Sequence, residues 1–71
     1  MLDTMNAIAI GEKLKALRGE KTQKEVGDAL GITSMAVSQY ERGERIPRDE
    51  LKIQIAKYFG QTVDSIFFTT L

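Results

Sequence analysis

The side chains best suited to chemistry form a small set that is mostly polar and contains no acidic group. On a helix they share one exposed face, made of Ser34, Met35, Ser38, Gln39 and Arg42. A glutamine amide can pair with adenine through two hydrogen bonds, and a serine hydroxyl can bond a base or a phosphate. A methionine can pack on a thymine methyl group, or it can fill a gap between helices. The face therefore suits base edges in the major groove of DNA, and it equally suits solvent around a small helical bundle.

Two short helices joined by a tight turn must position this face, and capping residues mark their ends. The first of them is predicted over residues 23–30, with Thr22 as its N-cap. Glu25 occupies the capping-box position three residues after the cap. Gly31 follows the helix, where the chain favours a residue that tolerates positive φ.

The second helix of this pair carries the polar face. It is predicted to begin after a cap at Thr33 or Ser34 and to run to about residue 42, where Gly43 offers a stop. A helix, a short turn that contains glycine and another helix form the helix-turn-helix layout. An αα-hairpin in any small bundle has the same pattern, so the spacing alone leaves both interpretations open.

Three further helices are predicted around this pair, from apolar residues that recur at intervals of three and four. One covers residues 8–19, another covers residues 49–59, and a short last helix begins after Thr62. No strand-like alternation persists, so the predicted fold is all-α, with five helices in one compact unit. Residues 1–7 are expected to form a flexible lead-in, and residues 8–71 a single domain.

The composition argues against catalysis. The chain of 71 residues contains no cysteine and no histidine, which removes thiolate ligands and the commonest general base and metal ligand. Asp49, Glu50 and Asp64 lie at predicted helix starts, where an acidic side chain matches the helix dipole. We therefore expect a protein that is not an enzyme and has no metal, no cofactor and no small-molecule ligand.

Two further features of the sequence bear on location and partners. No apolar run approaches the roughly 20 residues that span a bilayer, and the N-terminus lacks the pattern of a signal peptide, so we expect a cytoplasmic protein without a membrane partner. Ten basic residues balance ten acidic ones, whereas proteins that bind nucleic acid usually have a basic excess. Binding depends on local charge, and residues 42–48 hold three basic residues and one acidic residue.

The stretch TQKEVGDALGITSMAVSQYERGER, residues 22–45, resembles the lambda-repressor-like (Cro and Xre type) helix-turn-helix module of bacterial and phage regulators. The resemblance extends upstream through residues 10–18 and downstream through Pro47 to residue 67, so it covers nearly the whole chain. It implies a DNA-binding domain whose third helix enters the major groove of double-stranded DNA. It also implies a transcriptional regulator, in the first instance a dimeric repressor. The chain departs from the family at Lys21, where an apolar residue is common.

The resemblance and the residue types together assign roles to single residues. Base reading falls to the start of the third helix, through Ser34, Met35, Ser38 and Gln39. Contact with DNA phosphates falls to a wider set, consisting of Gln23, Lys24, Thr33, Arg42, Arg45 and Arg48. For Lys24 a solvated surface charge is an equal alternative. In this family an arginine late in the first helix pairs with a glutamate near the end of the third, which implies a structural ion pair between Arg18 and Glu41.

The end of the chain is unusually apolar for so small a domain. Phe68 and Leu71 exceed what the core is expected to bury, so we predict that they contribute to a two-fold dimer interface with the last two helices. The expected partners are thus double-stranded DNA and a second copy of the chain. The alternative function is an antitoxin or another protein-interaction module with the same fold, which the neutral net charge and the apolar tail favour.

Overall fold

The computed structural model describes residues 6–68, which form five helices and no strand. The helices are α1 (Ala7–Arg18), α2 (Gln23–Leu30), α3 (Ser34–Glu41), α4 (Asp49–Phe59) and α5 (Val63–Phe67). The all-α, five-helix fold is therefore confirmed, with α2 and α3 as the helix-turn-helix pair. Within the described part, none of these helices has both the length and the apolar character that crossing a bilayer requires. The division into a lead-in at residues 1–7 and a domain at 8–71 stays a prediction, because 1–5 and 69–71 lie outside the described residues.

Side-chain caps fix the ends of the helix-turn-helix pair. Thr22 Oγ1 accepts a hydrogen bond from the backbone N–H of Glu25 at 3.0 Å, and the Glu25 carboxylate accepts one from the Thr22 N–H at 2.7 Å. The predicted capping box is thus complete. Thr33, rather than Ser34, caps α3, because its hydroxyl accepts a hydrogen bond from the Ala36 N–H at 3.0 Å.

The first helix begins one residue earlier than the sequence predicted. Asn6 is its N-cap, and the side-chain oxygen of Asn6 accepts hydrogen bonds from the backbone N–H groups of Ile8 and Ala9 at 3.0 and 3.1 Å. An asparagine in this position satisfies donors that otherwise lack a partner in the first turn of a helix. The helix therefore starts at Ala7.

The core lies where α1, α4 and α5 meet the inner side of α3. Phe67, Ile10 and Ile66 are its most deeply buried apolar side chains. The rest of the buried cluster consists of Leu14, Tyr40, Leu51, Ile55 and Ala56. Phe59, the last residue of α4, is half-buried and packs against this cluster. The inner side of α3 is therefore fixed to the body of the domain, and its outer side faces away from the core.

Two glycines let the neighbouring helices approach the main chain of α3. A Cβ atom on Gly27 of α2 would lie 2.7 Å from the carbonyl oxygen of Ile32, in the turn before α3. A Cβ atom on Gly11 of α1 would lie 2.6 Å from the carbonyl oxygen of Tyr40 and still closer to that of Glu41. No side chain fits at such distances, so glycine at both positions sets how closely α1 and α2 hold the two ends of α3.

Candidate nucleic-acid interface

The four predicted base-reading residues lie on one side of α3, opposite its buried residues. Ser34 and Met35 in the first turn are exposed, and Met35 retains 63% of its accessible surface. Ser38 and Gln39, one turn later, are half-buried. The alternative in which Met35 fills a gap between helices is wrong, because most of its side chain meets solvent. In a helix-turn-helix protein the first residues of the second helix are the ones that reach base edges.

The end of α3 is closed by a tight main-chain turn. Gly43 has a φ of 76°, and its N–H donates to the carbonyl oxygen of Tyr40 at 3.1 Å. The N–H of Glu44 reaches back to the carbonyl oxygen of Gln39 at 2.9 Å. These two hydrogen bonds form the Schellman motif, in which a glycine adopts the left-handed conformation that other residues avoid. The chain after α3 therefore leaves the helix in a fixed direction.

An ion pair between α1 and α3 lies at the C-terminal end of α3. Arg18 Nε lies 2.6 Å from one carboxylate oxygen of Glu41, and Arg18 Nη2 lies 3.0 Å from the other. The side chain of Glu41 is only 5% exposed and that of Arg18 is 17% exposed. Hydrogen bonding to this carboxylate raises the pKa of Arg18 above its ordinary value. The two residues that the family resemblance pairs are thus in direct, bidentate contact.

The same ion pair connects all three of the first helices. The side-chain amide of Gln23, in the first turn of α2, donates to Glu41 Oε1 at 3.1 Å. Arg18 Nη1 donates to the carbonyl oxygen of Lys21 at 2.8 Å, which ties down the short link before α2. Neither the hydrogen bond from Gln23 to Glu41 nor the one from Arg18 to Lys21 was predicted from the sequence. Gln23, predicted to bind phosphate, is therefore held by the scaffold through its amide nitrogen.

Arginine side chains engage the half-buried residues of the outer face. Arg45 Nη1 donates to the amide oxygen of Gln39 at 3.1 Å, and its guanidinium lies 5.4 Å from the centre of the Tyr40 ring. Arg42 donates through Nη1 to the hydroxyl of Ser38. Predicted base-reading residues and predicted phosphate-binding residues are thus hydrogen-bonded to one another.

Arg42 is also neutralised by an acidic neighbour. Its Nε and Nη2 atoms lie 2.8 and 3.1 Å from the two carboxylate oxygens of Glu44, and both side chains are about half exposed. These hydrogen bonds lower the pKa of Glu44 and raise that of Arg42. The sequence shows the opposite charges of Arg42 and Glu44 two positions apart, but the pairing of the two side chains was not predicted.

The remaining predicted phosphate-binding residues are spread over the surface. Lys24 pairs with Asp28 one turn along α2 at 2.9 Å, and both side chains are largely exposed. The hydroxyl of Thr33 serves as the cap of α3. Arg45 and Arg48 line one open groove between the helix-turn-helix pair and the start of α4. The structure thus brings Arg45 and Arg48 together beside α3 and leaves Lys24 on α2.

A second, apolar surface lies on α4 and α5. Ile53 and Phe68 retain 51% and 40% of their accessible surface, and with Val63 they line a shallow groove. Lys52 borders the groove, with its ammonium 3.2 Å from the carboxylate of Asp49. Leu71, the other residue predicted for a dimer interface, lies outside the described residues. Between residues 6 and 68, no group of acidic side chains is arranged to hold a metal ion.

Comparison with known proteins connects this geometry with a family. A family model described as helix-turn-helix matches residues 14–66. The uncharacterized HTH-type transcriptional regulator YgzD of Bacillus subtilis is 29% identical, over 79% of this chain and 88% of its own. The uncharacterized HTH-type transcriptional regulator MJ0272 of Methanocaldococcus jannaschii is 33% identical, over 78% of this chain and 86% of its own.

Solved structures have the same arrangement of helices. The P22 c2 repressor protein, crystallised with a synthetic operator, superimposes with a TM-score of 0.79 and 28% identity, covering 82% of this chain and 91% of that one. The clp gene regulator ClgR of C. glutamicum gives a TM-score of 0.74 at 25% identity, covering 87% and 83%. The DNA-binding domain of BldD gives 0.73 at 23% identity, covering 93% and 99%, which supports the fold alone.

Proposed function

The chain belongs to the lambda-repressor-like helix-turn-helix family of transcriptional regulators, and from this we propose that it is a sequence-specific DNA-binding protein that acts as a dimeric repressor. In this proposal α3 enters the major groove of the operator. Each of two subunits reads one half-site, and the half-sites lie about 34 Å apart. The bound dimer represses transcription by covering a promoter.

The observation that carries the proposal is the outer face of α3. Its first turn presents Ser34 and Met35 to solvent, and Gln39 follows on the same side. The carbonyl oxygen of the Gln39 amide accepts one hydrogen bond from Arg45, and a carbonyl oxygen has two lone pairs. The amide group therefore retains an acceptor site as well as its donors for pairing with adenine.

Phosphate contacts flank this face in the proposed complex. Arg45 and Arg48 follow α3 in the chain and border the same groove, where they would grip the DNA backbone. Gln23 and Lys24 would do so from the start of α2, where free N–H groups also favour an anion. Such contacts set the position of the protein on DNA and make its affinity depend on salt, but they do not specify sequence.

The dimer in this proposal forms through α4 and α5. Ile53 and Phe68 expose apolar surface there, and burial of such surface against a second copy would stabilise both subunits. A domain of this size has a small core, so a contribution from a partner subunit is physically reasonable. The P22 c2 repressor, which resembles this chain, has been crystallised with operator DNA, and that likeness supports the DNA-binding part of the proposal.

Selection from a pool of random duplexes tests the proposal. The native protein is expected to enrich one motif with two-fold related half-sites. Gln39→Ala should relax the preference at one position in each half-site, with a loss of about 1 to 3 kcal/mol for that base pair. Gln61→Ala is the matched control, because Gln61 is an exposed glutamine between α4 and α5 whose side-chain oxygen also accepts one hydrogen bond.

The outcome of this selection also decides between the two candidate functions. A protein-interaction module, such as an antitoxin, is favoured by the balanced net charge and by the exposed Ile53 and Phe68. If the native protein enriches no sequence and shows no salt-dependent affinity for duplex DNA, the repressor proposal is wrong. Binding to a protein partner alone would then support the interaction module.

A further inference from the structure

The pairing of Arg42 with Glu44 is built into the end of α3. The Schellman motif fixes the main chain of Glu44, whose N–H bonds to Gln39. Gly43, between the two charged residues, packs against α1, since a Cβ atom there would lie 2.9 Å from the Cα of Ile8. The carboxylate therefore starts from a fixed position close to the arginine, which lowers the entropy lost when the pair forms.

The geometry of the pair is the one that an arginine uses for a DNA phosphate. Two N–H groups of Arg42 donate to the two oxygens of Glu44, and a third donates to the hydroxyl of Ser38. Guanidinium groups bind carboxylates and phosphates with the same bidentate fork. Glu44 thus occupies the place on Arg42 that a backbone phosphate would take.

The other two arginines of this region differ from Arg42. Arg45 donates to the neutral amide of Gln39, and Arg48 is exposed. Within residues 6–68, neither of them forms an ion pair. Both keep their full positive charge for DNA, whereas the charge of Arg42 is cancelled locally.

We propose that Glu44 limits sequence-independent binding by withholding Arg42 from DNA phosphates. A phosphate must displace the carboxylate before it can bind this arginine, so DNA of arbitrary sequence gains no contact from it. Sequence-independent affinity is then lower by one phosphate contact. This inference rests on the proposed function, because it requires that the protein binds duplex DNA through α3.

The salt dependence of binding to a mixed-sequence duplex tests this role. Each phosphate contact contributes about 0.9 to the slope of log affinity against log salt concentration. Glu44→Gln should steepen the slope by that amount, so that between about 50 and 200 mM salt its affinity falls about 3.5-fold more than that of the native protein. The double variant Arg42→Gln/Glu44→Gln should return the slope to the native value, because the released arginine is gone.

Glu12→Gln is the control for net charge. Glu12 is exposed on α1 and forms no ion pair within the described part of the chain, so its replacement changes the charge by the same single unit. The inference is overturned if Glu44→Gln keeps the native slope, if Glu12→Gln steepens the slope equally, or if the double variant stays steep. If none of the proteins binds duplex DNA, the proposed function fails and this inference fails with it. Binding with equal slopes would refute this inference alone.

Discussion

Replacing Glu41 with glutamine should strongly destabilise the domain. The carboxylate accepts two hydrogen bonds from Arg18 and one from Gln23, and its side chain is 5% exposed. A glutamine has the same shape, but it carries no charge and puts an NH₂ group where one acceptor oxygen stood. One N–H of Arg18 or Gln23 then faces another donor, and the guanidinium loses its counter-charge.

The size of the effect follows from burial. Removing one partner of a fully buried pair costs about 3 to 5 kcal/mol of unfolding free energy, because the other charge is left stranded. The Arg18 side chain is 17% exposed and retains its bond to the Lys21 carbonyl, so water offsets part of the penalty. We expect a loss of about 2 to 3 kcal/mol. For a domain of this length that lowers the thermal midpoint by about 10 to 20 °C, which circular dichroism measures directly.

Glu44→Gln is the matched control, because it makes the same chemical change in a second bidentate arginine pair. That pair is about half exposed, and exposed ion pairs contribute little to folding stability. Its thermal midpoint should therefore move several times less than that of Glu41→Gln, at equal protein concentration. Equal shifts in the two variants would show that shielding of the Arg18 pair does not stabilise the fold.

Three further predictions concern the surface. Arg48→Gln should flatten the salt dependence of DNA affinity by about 0.9 in log–log slope. Lys57→Gln removes an exposed charge near the other end of α4, and it should leave this slope unchanged. A slope that flattens for Lys57→Gln but not for Arg48→Gln would remove Arg48 from the phosphate contacts. Phe68→Ser should weaken self-association in sedimentation experiments. Tyr58→Ser removes a similarly exposed aromatic ring from a part of α4 that does not line the apolar groove, and it should leave self-association unchanged; an unchanged dimer in both variants would exclude this face. The arginine hydrogen bonds lower the pKa of Glu44, so the small stabilisation from this pair is present above the ordinary glutamate pKa and is lost as the pH falls through the lowered one. An NMR titration of the carboxyl carbon with a midpoint at the ordinary value would contradict this.

Local features of the fold could be predicted from the sequence because they depend on neighbouring residues. The capping box at Thr22 and Glu25 needs only a hydroxyl and a carboxylate three positions apart, and it is present. Gly31 ends α2 in the left-handed conformation for the same local reason. The start of α3 was ambiguous between Thr33 and Ser34, since both have a hydroxyl and only the geometry of the turn selects one.

Contacts between distant residues could not be predicted from spacing. The bond from Gln23 to Glu41 joins residues that are 18 positions apart, and it depends on how α2 and α3 cross. The close approach of Gly11 to α3 had no sequence signal, because the carbonyl oxygens that a Cβ atom would meet belong to Tyr40 and Glu41 on another helix. The pairing of Arg42 with Glu44 is local, but it depends on the turn at the intervening glycine.

The two glycine contacts have a consequence for how new DNA targets can arise. Gly27 and Gly11 touch main-chain atoms at the two ends of α3, and main-chain atoms are the same whatever side chains the helix carries. The outward residues, such as Ser34 and Gln39, can therefore be exchanged while the helix keeps its position in the domain. In the proposed complex, a few substitutions on this one surface would therefore change the DNA target while the fold stays the same.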